Sequence, residues 1–238
     1  ASSFPLACIG IFAPPASLPA LPPCGGMGRC EAWRSSVSYQ EYAAAISRIK
    51  GRIRQGDTYQ VNYTLRLHSL FRGNPWNLFL AACSGAPYAA FVDTDAFALC
   101  SASPELFFAL DGTWISSRPM KGTAGRGATP GEDRANARWL YCSEKNRAEN
   151  VMIVDMIRND LGRIARTGSV VVSKLYALER YPTVWQMTST VEARTRAAFS
   201  DILRALYPCA SITGAPKVKT MEIIAAIEST PRNIYTGT

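Results

Sequence analysis

The sequence predicts a mixed α/β (α+β) fold with mainly antiparallel sheets and flanking helices. Short apolar runs follow one another from Tyr88 to Ser117 with no helical pattern between them. Asp111-Gly112 within that run suits a tight hairpin turn, so neighbouring strands should pair antiparallel. On either side lie segments whose apolar residues recur at helical spacing.

Residues 13–30 are rich in Pro and Gly and lack periodicity, which reads as a linker; residues 4–12 would be the last strand of a preceding piece. The chain therefore divides into residues 1–30, a residual segment and linker, and residues 31–238, the folded domain. Ser38-Tyr39-Gln40-Glu41 fits a capping box, and Tyr42, Ala45, Ile46, Ile49 and Ile53 continue it as a helix stopped at Gly56. The period then becomes two: Tyr59, Val61, Tyr63, Leu65 and Leu67 face one way, and Gln60, Asn62, Thr64 and Arg66 the other, as in a strand. Asn74-Pro75 opens a short helix to about Cys83. Strands follow at about 88–92, 97–101, 106–110 and 113–117. Residues 119–131 form a Gly-rich loop. A helical stretch and a long helix from about Ser143 to Leu161 come next, with Gly162 as stop and Met152, Ile153, Met156 and Ile157 as core. Strands resume at 169–175 and 184–193. Ser200 caps a helix to Tyr207, 211–215 is a loop, and Pro216 starts a helix to about Glu228.

Composition narrows the function. An apolar fraction of 47% against 18% charged residues is globular, and 238 residues allow one large domain or two small ones. The single histidine, His68, excludes any site needing two His ligands, and no GxSxG motif supports a Ser-His device. The seven cysteines contain no CxxC pair, and Cys83, Cys100 and Cys142 sit among apolar or small residues; this reads as a reduced, cytoplasmic pattern, neither a disulfide framework nor a zinc site. The first charged side chain is Arg29, so no basic region precedes the apolar start, and six prolines between Pro5 and Pro23 bar a membrane helix there. The net charge of +8 raises a basic nucleic-acid-binding module as a remote alternative. Its Lys and Arg residues are scattered rather than clustered among aromatics, so neither nucleic acid nor membrane is expected as a partner.

Four clusters carry candidate chemistry. Glu105, in Ser103-Pro104-Glu105, is either a proton donor with a pKa raised by desolvation or an exposed turn carboxylate. Lys121, before Gly122-Thr123, is either an amine made nucleophilic by a lowered pKa or a solvated loop lysine. Glu149 shares a helix face with Lys145 and Asn146; it is either a ligand for a hard cation such as Mg²⁺ or half of an i,i+4 ion pair. Ser211-Ile212-Thr213-Gly214-Ala215-Pro216-Lys217 leads into a helix start, which is either an anion site or an ordinary N-terminus; it lacks the P-loop spacing.

In order, the segments YQVNYTLR (59–66), SPELFF (103–108), RPMKGTAGRG (118–127), SEKNRAENVMIVDMIRNDLGR (143–163) and SITGAPKVKTMEII (211–224) resemble the chorismate-utilising enzymes across about residues 38–238. That family includes the large subunits of anthranilate synthase and aminodeoxychorismate synthase, together with isochorismate and salicylate synthases. The resemblance implies a chorismate-binding sandwich of two mainly antiparallel sheets with helices outside, and residues 31–238 as its catalytic domain, incomplete at the C-terminus. Lys121 where anthranilate synthases carry Ala, with Gln60 where the isochorismate and salicylate enzymes carry a Lys base, resembles the aminodeoxychorismate synthase branch, which serves p-aminobenzoate and folate synthesis. Anthranilate synthase component I is the alternative. By this resemblance Lys121 is the nucleophile, Glu105 the proton donor, and Gly122, Thr123, Thr213 and Tyr235 contact substrate. Glu149 is a ligand for Mg²⁺, chorismate is the substrate, and a glutamine amidotransferase small subunit is the ammonia-supplying partner. Two departures stand out: Asn146 replaces an Asp or Glu of many relatives, and Cys209-Ala210 replaces a small Gly-containing pair. The remaining metal ligands and a substrate-binding Arg would lie beyond Thr238.

Overall fold

The computed structural model describes residues 25–235 apart from Met27, Ser84 and Asp95. The strand expected over residues 4–12 and most of the linker lie outside the described residues. In chain order the elements are β1 (Arg29–Cys30), β2 (Arg34–Ser35), α1 (Tyr39–Arg54), β3 (Gln60–Val61), β4 (Leu67–His68), β5 (Phe71–Arg72) and α2 (Pro75–Ala82). Strands β6 (Tyr88–Asp93), β7 (Ala98–Ser103), β8 (Leu106–Asp111), β9 (Trp114–Arg118) and β10 (Met120–Gly125) follow. The second half runs α3 (Pro130–Cys142), α4 (Glu144–Gly162), β11 (Val171–Arg180), β12 (Val184–Arg194), α5 (Phe199–Leu206), α6 (Ala210–Thr213), β13 (Gly214–Ala215) and α7 (Lys217–Ile227).

The expectation of mixed helix and antiparallel sheet holds: every strand pairing is antiparallel. The principal sheet has five strands in the order β10-β12-β9-β8, with β11 added on β12. Strand β12 organises it. Its first half pairs with β10, its second half with β9, and β11 runs along it from Arg180 to Val171. Four two-stranded pieces complete the pairing, including the β6–β7 hairpin and the β3–β13 bridge.

Local chemistry explains the elements predicted well. Ser38 accepts the Glu41 amide while Glu41 Oε2 takes the Ser38 amide at 2.7 Å, so the capping box starts α1. Asn74 caps α2. Gly112 turns β8 into β9 at φ +57. Along α4, Ile153, Val154, Ile157 and Leu161 are buried against Ile115, Val191 and Ala193 of the sheet and against Ile202 and Leu206 of α5, with Met152 and Met156 at the edge of that cluster. Each fully buried aliphatic side chain there contributes about 1.5–3 kcal/mol.

Five expectations are corrected. The alternating stretch 59–67 is not one strand; it makes β3 and β4 with irregular chain between, and Tyr59, Leu65 and Leu67 on its apolar face are exposed. The Gly-rich stretch 119–131 is not all loop, because Met120–Gly125 is strand β10, tied to β12. The loop 211–215 is a short helix and a strand. Ser200 does not cap α5, whose cap position is Ala198 without a side-chain bond. Among the cysteines, Cys83 is buried, Cys100 is half-buried and Cys142 is exposed, so Cys142 is not a core residue; all five described cysteines are free.

Gly214 shows why the first residue of β13 tolerates no side chain. It sits at φ +142, and a Cβ there would lie 2.0 Å from the Gln60 carbonyl and 2.8 Å from Thr220 Cγ2. Gly214→Ala is expected to break the β3–β13 bridge and cost about 3 kcal/mol from combined strain and overpacking. A denaturant midpoint equal to that of the parent, with an unchanged slope, would refute this.

Candidate active site

Strand β10 carries Lys121, and α4 braces it. Asn150, 1% exposed, donates from Nδ2 to the carbonyls of Lys121 (3.3 Å) and Met187 (3.4 Å), and its Oδ1 takes the Ser189 hydroxyl at 2.5 Å. A buried amide satisfied on both sides locks the backbone of β10 to α4 and β12. Gly122, at φ +102, lets the strand approach the helices: a Cβ would come within 3.1 Å of Asn146 Cβ and 3.2 Å of Leu140 Cδ1. The register of β10 on β12 shifts between Met120 and Thr123, at the site itself.

Glu105 lies just ahead of β8. Its turn is closed by Ser103, whose hydroxyl donates to the Glu105 carbonyl at 3.0 Å. Glu105 is half-buried on the cavity wall. Burial pushes its pKa up, while the Ser211 hydroxyl, the Met120 amide and the charge of Lys121 pull it back. Lys121 is displaced the opposite way: burial pushes its pKa down, and the charges of Glu105, Glu149 and Cys209 oppose that. Both shifts move toward a neutral amine and a neutral acid.

A cavity of about 380 Å³ opens at Glu105, lined among others by Ser103, Phe107, Tyr207, Cys209, Ser211 and Tyr235. Lys121 does not line it; the Lys121 Nζ donates at 3.2 Å to the carbonyl of Ser211, which does. Tyr235 lines it and also an adjoining cavity of about 520 Å³, with its ring 5.3 Å from the Arg232 guanidinium. Thr213 is 3% exposed and lines only the adjoining cavity; its hydroxyl donates to the Cys209 carbonyl at 2.9 Å. Thr123 is exposed, with its hydroxyl on Gln186 Oε1 at 3.0 Å. Glu149 stands 3.9 Å from Lys145, the i,i+4 pair, and its charge is also felt by Lys121.

Among the described residues no group of three or more His, Cys, Asp or Glu is arranged around a metal position. Glu149 is a single, part-exposed carboxylate. That donor fits Mg²⁺, which takes one or two carboxylates and fills its shell with water and substrate oxygens. The 211–217 segment is not a free cationic site. Lys217 Nζ is held by Asp160 Oδ2 at 2.6 Å and the Leu206 carbonyl at 3.2 Å, so its charge is neutralised internally. His68 is exposed on β4, opposite Arg34.

Sequence reasoning missed three contributors. Asn62 Nδ2 donates to the Ser211 carbonyl at 2.6 Å; its place on the polar face of the 59–67 stretch was the available signal. Arg232 grips the carbonyls of Ile212 (2.9 Å) and Asn62 (2.5 Å) while pairing with Glu228, and no local pattern marks it. Ser211 stood within a flagged motif with no role assigned. The side-chain oxygen of Gln60 is buried with no hydrogen-bond partner among the described residues.

Aminodeoxychorismate synthase component 1 of Klebsiella aerogenes is 44% identical over 210 residues, 87% of this chain and 47% of that protein. Anthranilate synthase component 1 of Aquifex aeolicus is 38% identical over 209 residues, 86% of this chain and 42% of that protein. The chain thus spans about half the length of the curated relatives it matches. The crystal structure of anthranilate synthase component I from Streptococcus pneumoniae superposes with a TM-score of 0.79 at 29% identity, over 87% of this chain and 46% of that one. No helix among the described residues is long and apolar enough to cross a membrane. The family model for chorismate binding enzymes matches residues 22–238, and the chain belongs to that family.

Proposed function

We propose that this chain is the core, over residues 31–238, of an aminodeoxychorismate synthase large subunit, converting chorismate and ammonia to 4-amino-4-deoxychorismate for p-aminobenzoate and folate synthesis in the cytoplasm. The observation that carries the reading is that the Lys121 amine is held by the carbonyl of Ser211, which lines the same cavity as Glu105, with burial shifting the amine down and the acid up. A lysine must lose its proton to attack, and a carboxyl must keep its proton to donate; both shifts favour those forms.

In this reading the Lys121 amine forms a bond to ring C2 of chorismate as the C4 hydroxyl departs, taking the Glu105 proton and leaving as water. Ammonia then bonds to C4, the C2–nitrogen bond breaks, and Lys121 is released; the surplus protons return to Glu105 and solvent. Gly122 and Thr123 on the same strand and Tyr235 on the cavity wall would contact substrate; Thr213 would do so only from the adjoining cavity, its hydroxyl being turned onto the Cys209 carbonyl. Mg²⁺, when bound, would be held by Glu149 and would neutralise a substrate carboxylate. Ammonia would come from a glutamine amidotransferase subunit.

The test supplies the full-length protein with chorismate, Mg²⁺ and ammonium, and identifies the product by mass and by its retained enolpyruvyl group. Aminodeoxychorismate is expected. Anthranilate with released pyruvate would overturn the reading in favour of the anthranilate synthase alternative.

A further inference from the structure

Two bulges flank the middle of β12, and one side chain of α4 is tied to both. Along β10, Met120 faces Thr188 and Thr123 faces Gln186, so three steps on β10 match two on β12, and Lys121 and Gly122 together oppose Met187. On the other side, Lys174 faces Thr190 and Ala177 faces Thr188, so Leu175 and Tyr176 together oppose Ser189. Tyr176 takes φ +58 there, a left-handed conformation that a side chain of its size rarely adopts. A bulge takes backbone groups out of the regular ladder, and at these two bulges such groups meet Asn150 or its partner Ser189.

The Asn150 amino group has two hydrogens and gives one to each carbonyl at the β10 bulge, Lys121 at 3.3 Å and Met187 at 3.4 Å. Its orientation is set from the β11 side. The Ser189 hydroxyl accepts the Tyr176 amide at 3.2 Å, so its own proton goes to Asn150 Oδ1 at 2.5 Å, and the amino group is left facing β10. Packing alone does not call for asparagine here. Ile153, Val154 and Ile157, further along the same helix, are aliphatic and buried against the sheet, whereas an apolar side chain at 150 could give neither bond. Lys121 is thereby held at both ends: its carbonyl by Asn150 on α4, and its amine, at 3.2 Å, by the carbonyl of Ser211 on α6.

We propose that Asn150 is a positioning residue for Lys121: by clamping the β10 bulge it fixes the backbone point from which the amine reaches the Ser211 carbonyl. This role deepens the functional reading above and rests on it for the part Lys121 plays. Asn150 touches no reacting atom and acts through the lysine. A long side chain whose backbone anchor is loose samples many placements, and a misplacement of about 1 Å costs up to about a hundredfold in rate.

The experiment compares the full-length protein with Asn150→Ala, which removes the clamp, and Ser189→Ala, which removes only the group that orients it. Denaturant melts establish that each variant folds. Steady-state kcat and KM for chorismate are measured with ammonium at rising Mg²⁺, because Glu149 is the neighbouring residue. The rate at which a water-soluble N-hydroxysuccinimidyl acetate acylates Lys121 is read by peptide mass spectrometry against the exposed Lys50 and Lys219. Asn150→Ala is expected to lower kcat about tenfold to a hundredfold with KM for chorismate nearly unchanged. Lys121, released at one end, should acylate about fivefold faster relative to the two reference lysines, the opening permitted by losing one net hydrogen bond. Ser189→Ala should move both readouts the same way by less, and it decides by the same criteria should Asn150→Ala fail to fold. A folded variant that keeps either the parent kcat or the parent acylation of Lys121 would overturn the proposal. So would a rate loss that appears in KM or is relieved by excess Mg²⁺. If Lys121 acylates faster in the variants but the parent makes no aminodeoxychorismate, the positioning role stands and the functional reading falls.

Discussion

Lys121→Ala in the full-length protein is expected to lower aminodeoxychorismate formation about a hundredfold, the lower end of what one positioned chemical group contributes. The fold should survive. The backbone of residue 121 is held by Asn150 through its carbonyl and by the pairing of β10 with β12, neither of which uses the lysine side chain. The pH profile separates the role from mere charge. Burial shifts the Lys121 pKa below its ordinary value, so activity in the parent falls as pH drops through that lowered pKa and the amine gains a proton. Lys121→Ala should lose that acid limb together with the rate. Lys121→Arg, charged at every accessible pH, should be as inactive as the alanine variant. Unaltered turnover in Lys121→Ala would remove the lysine as the nucleophile.

The largest stability effect is expected at Lys217. Its Nζ–Asp160 Oδ2 contact of 2.6 Å joins the start of α7 to the end of α4, with side-chain exposures of 12% and 6%. Burial pushes the Asp160 pKa up, and Lys217 is the main group pulling it back. Lys217→Ala leaves an uncompensated buried carboxylate and should cost about 3–5 kcal/mol. The sign with pH follows from the raised folded-state value. An acid that holds its proton more tightly folded than unfolded loses stability as pH rises from the unfolded pKa through the folded one. The deficit of Lys217→Ala should be largest near neutrality and narrow as pH falls below the carboxylate range. Adding Asp160→Asn should recover much of the loss, and denaturant melts of the four proteins in the cycle measure it. A simple sum of the two single effects would show that the pair is not coupled.

These two lysines mark where local sequence stops informing. Both sit in motifs visible along the chain, yet their partners are distant in sequence: Ser211 for Lys121, and Asp160 for Lys217. The capping box at Ser38, the Asp111-Gly112 turn and the apolar stripe of α4 were legible because each is closed within a few residues by local hydrogen bonds or one helical face. Strand β10 was not. Its glycines look like loop, and only the pairing with β12 and the close approach of α3 and α4 make an extended Met-Lys-Gly-Thr-Ala-Gly segment a strand. The converse held at 59–67, where a clean alternation met a partner strand only at Gln60–Val61 and Leu67–His68.

By itself the sequence determined the class of fold and the family-bearing motifs, since residue type and spacing in order are sufficient for those; Lys121 and Glu105 were singled out only through the family those motifs resemble. The tertiary structure alone decided that a buried serine at the cavity wall holds the Lys121 amine, that Thr213 turns its hydroxyl inward, and that Lys217 balances a buried aspartate. Each of those outcomes depends on which polar atoms are desolvated together. That is a property of packing between distant segments, where every buried donor and acceptor must find a partner.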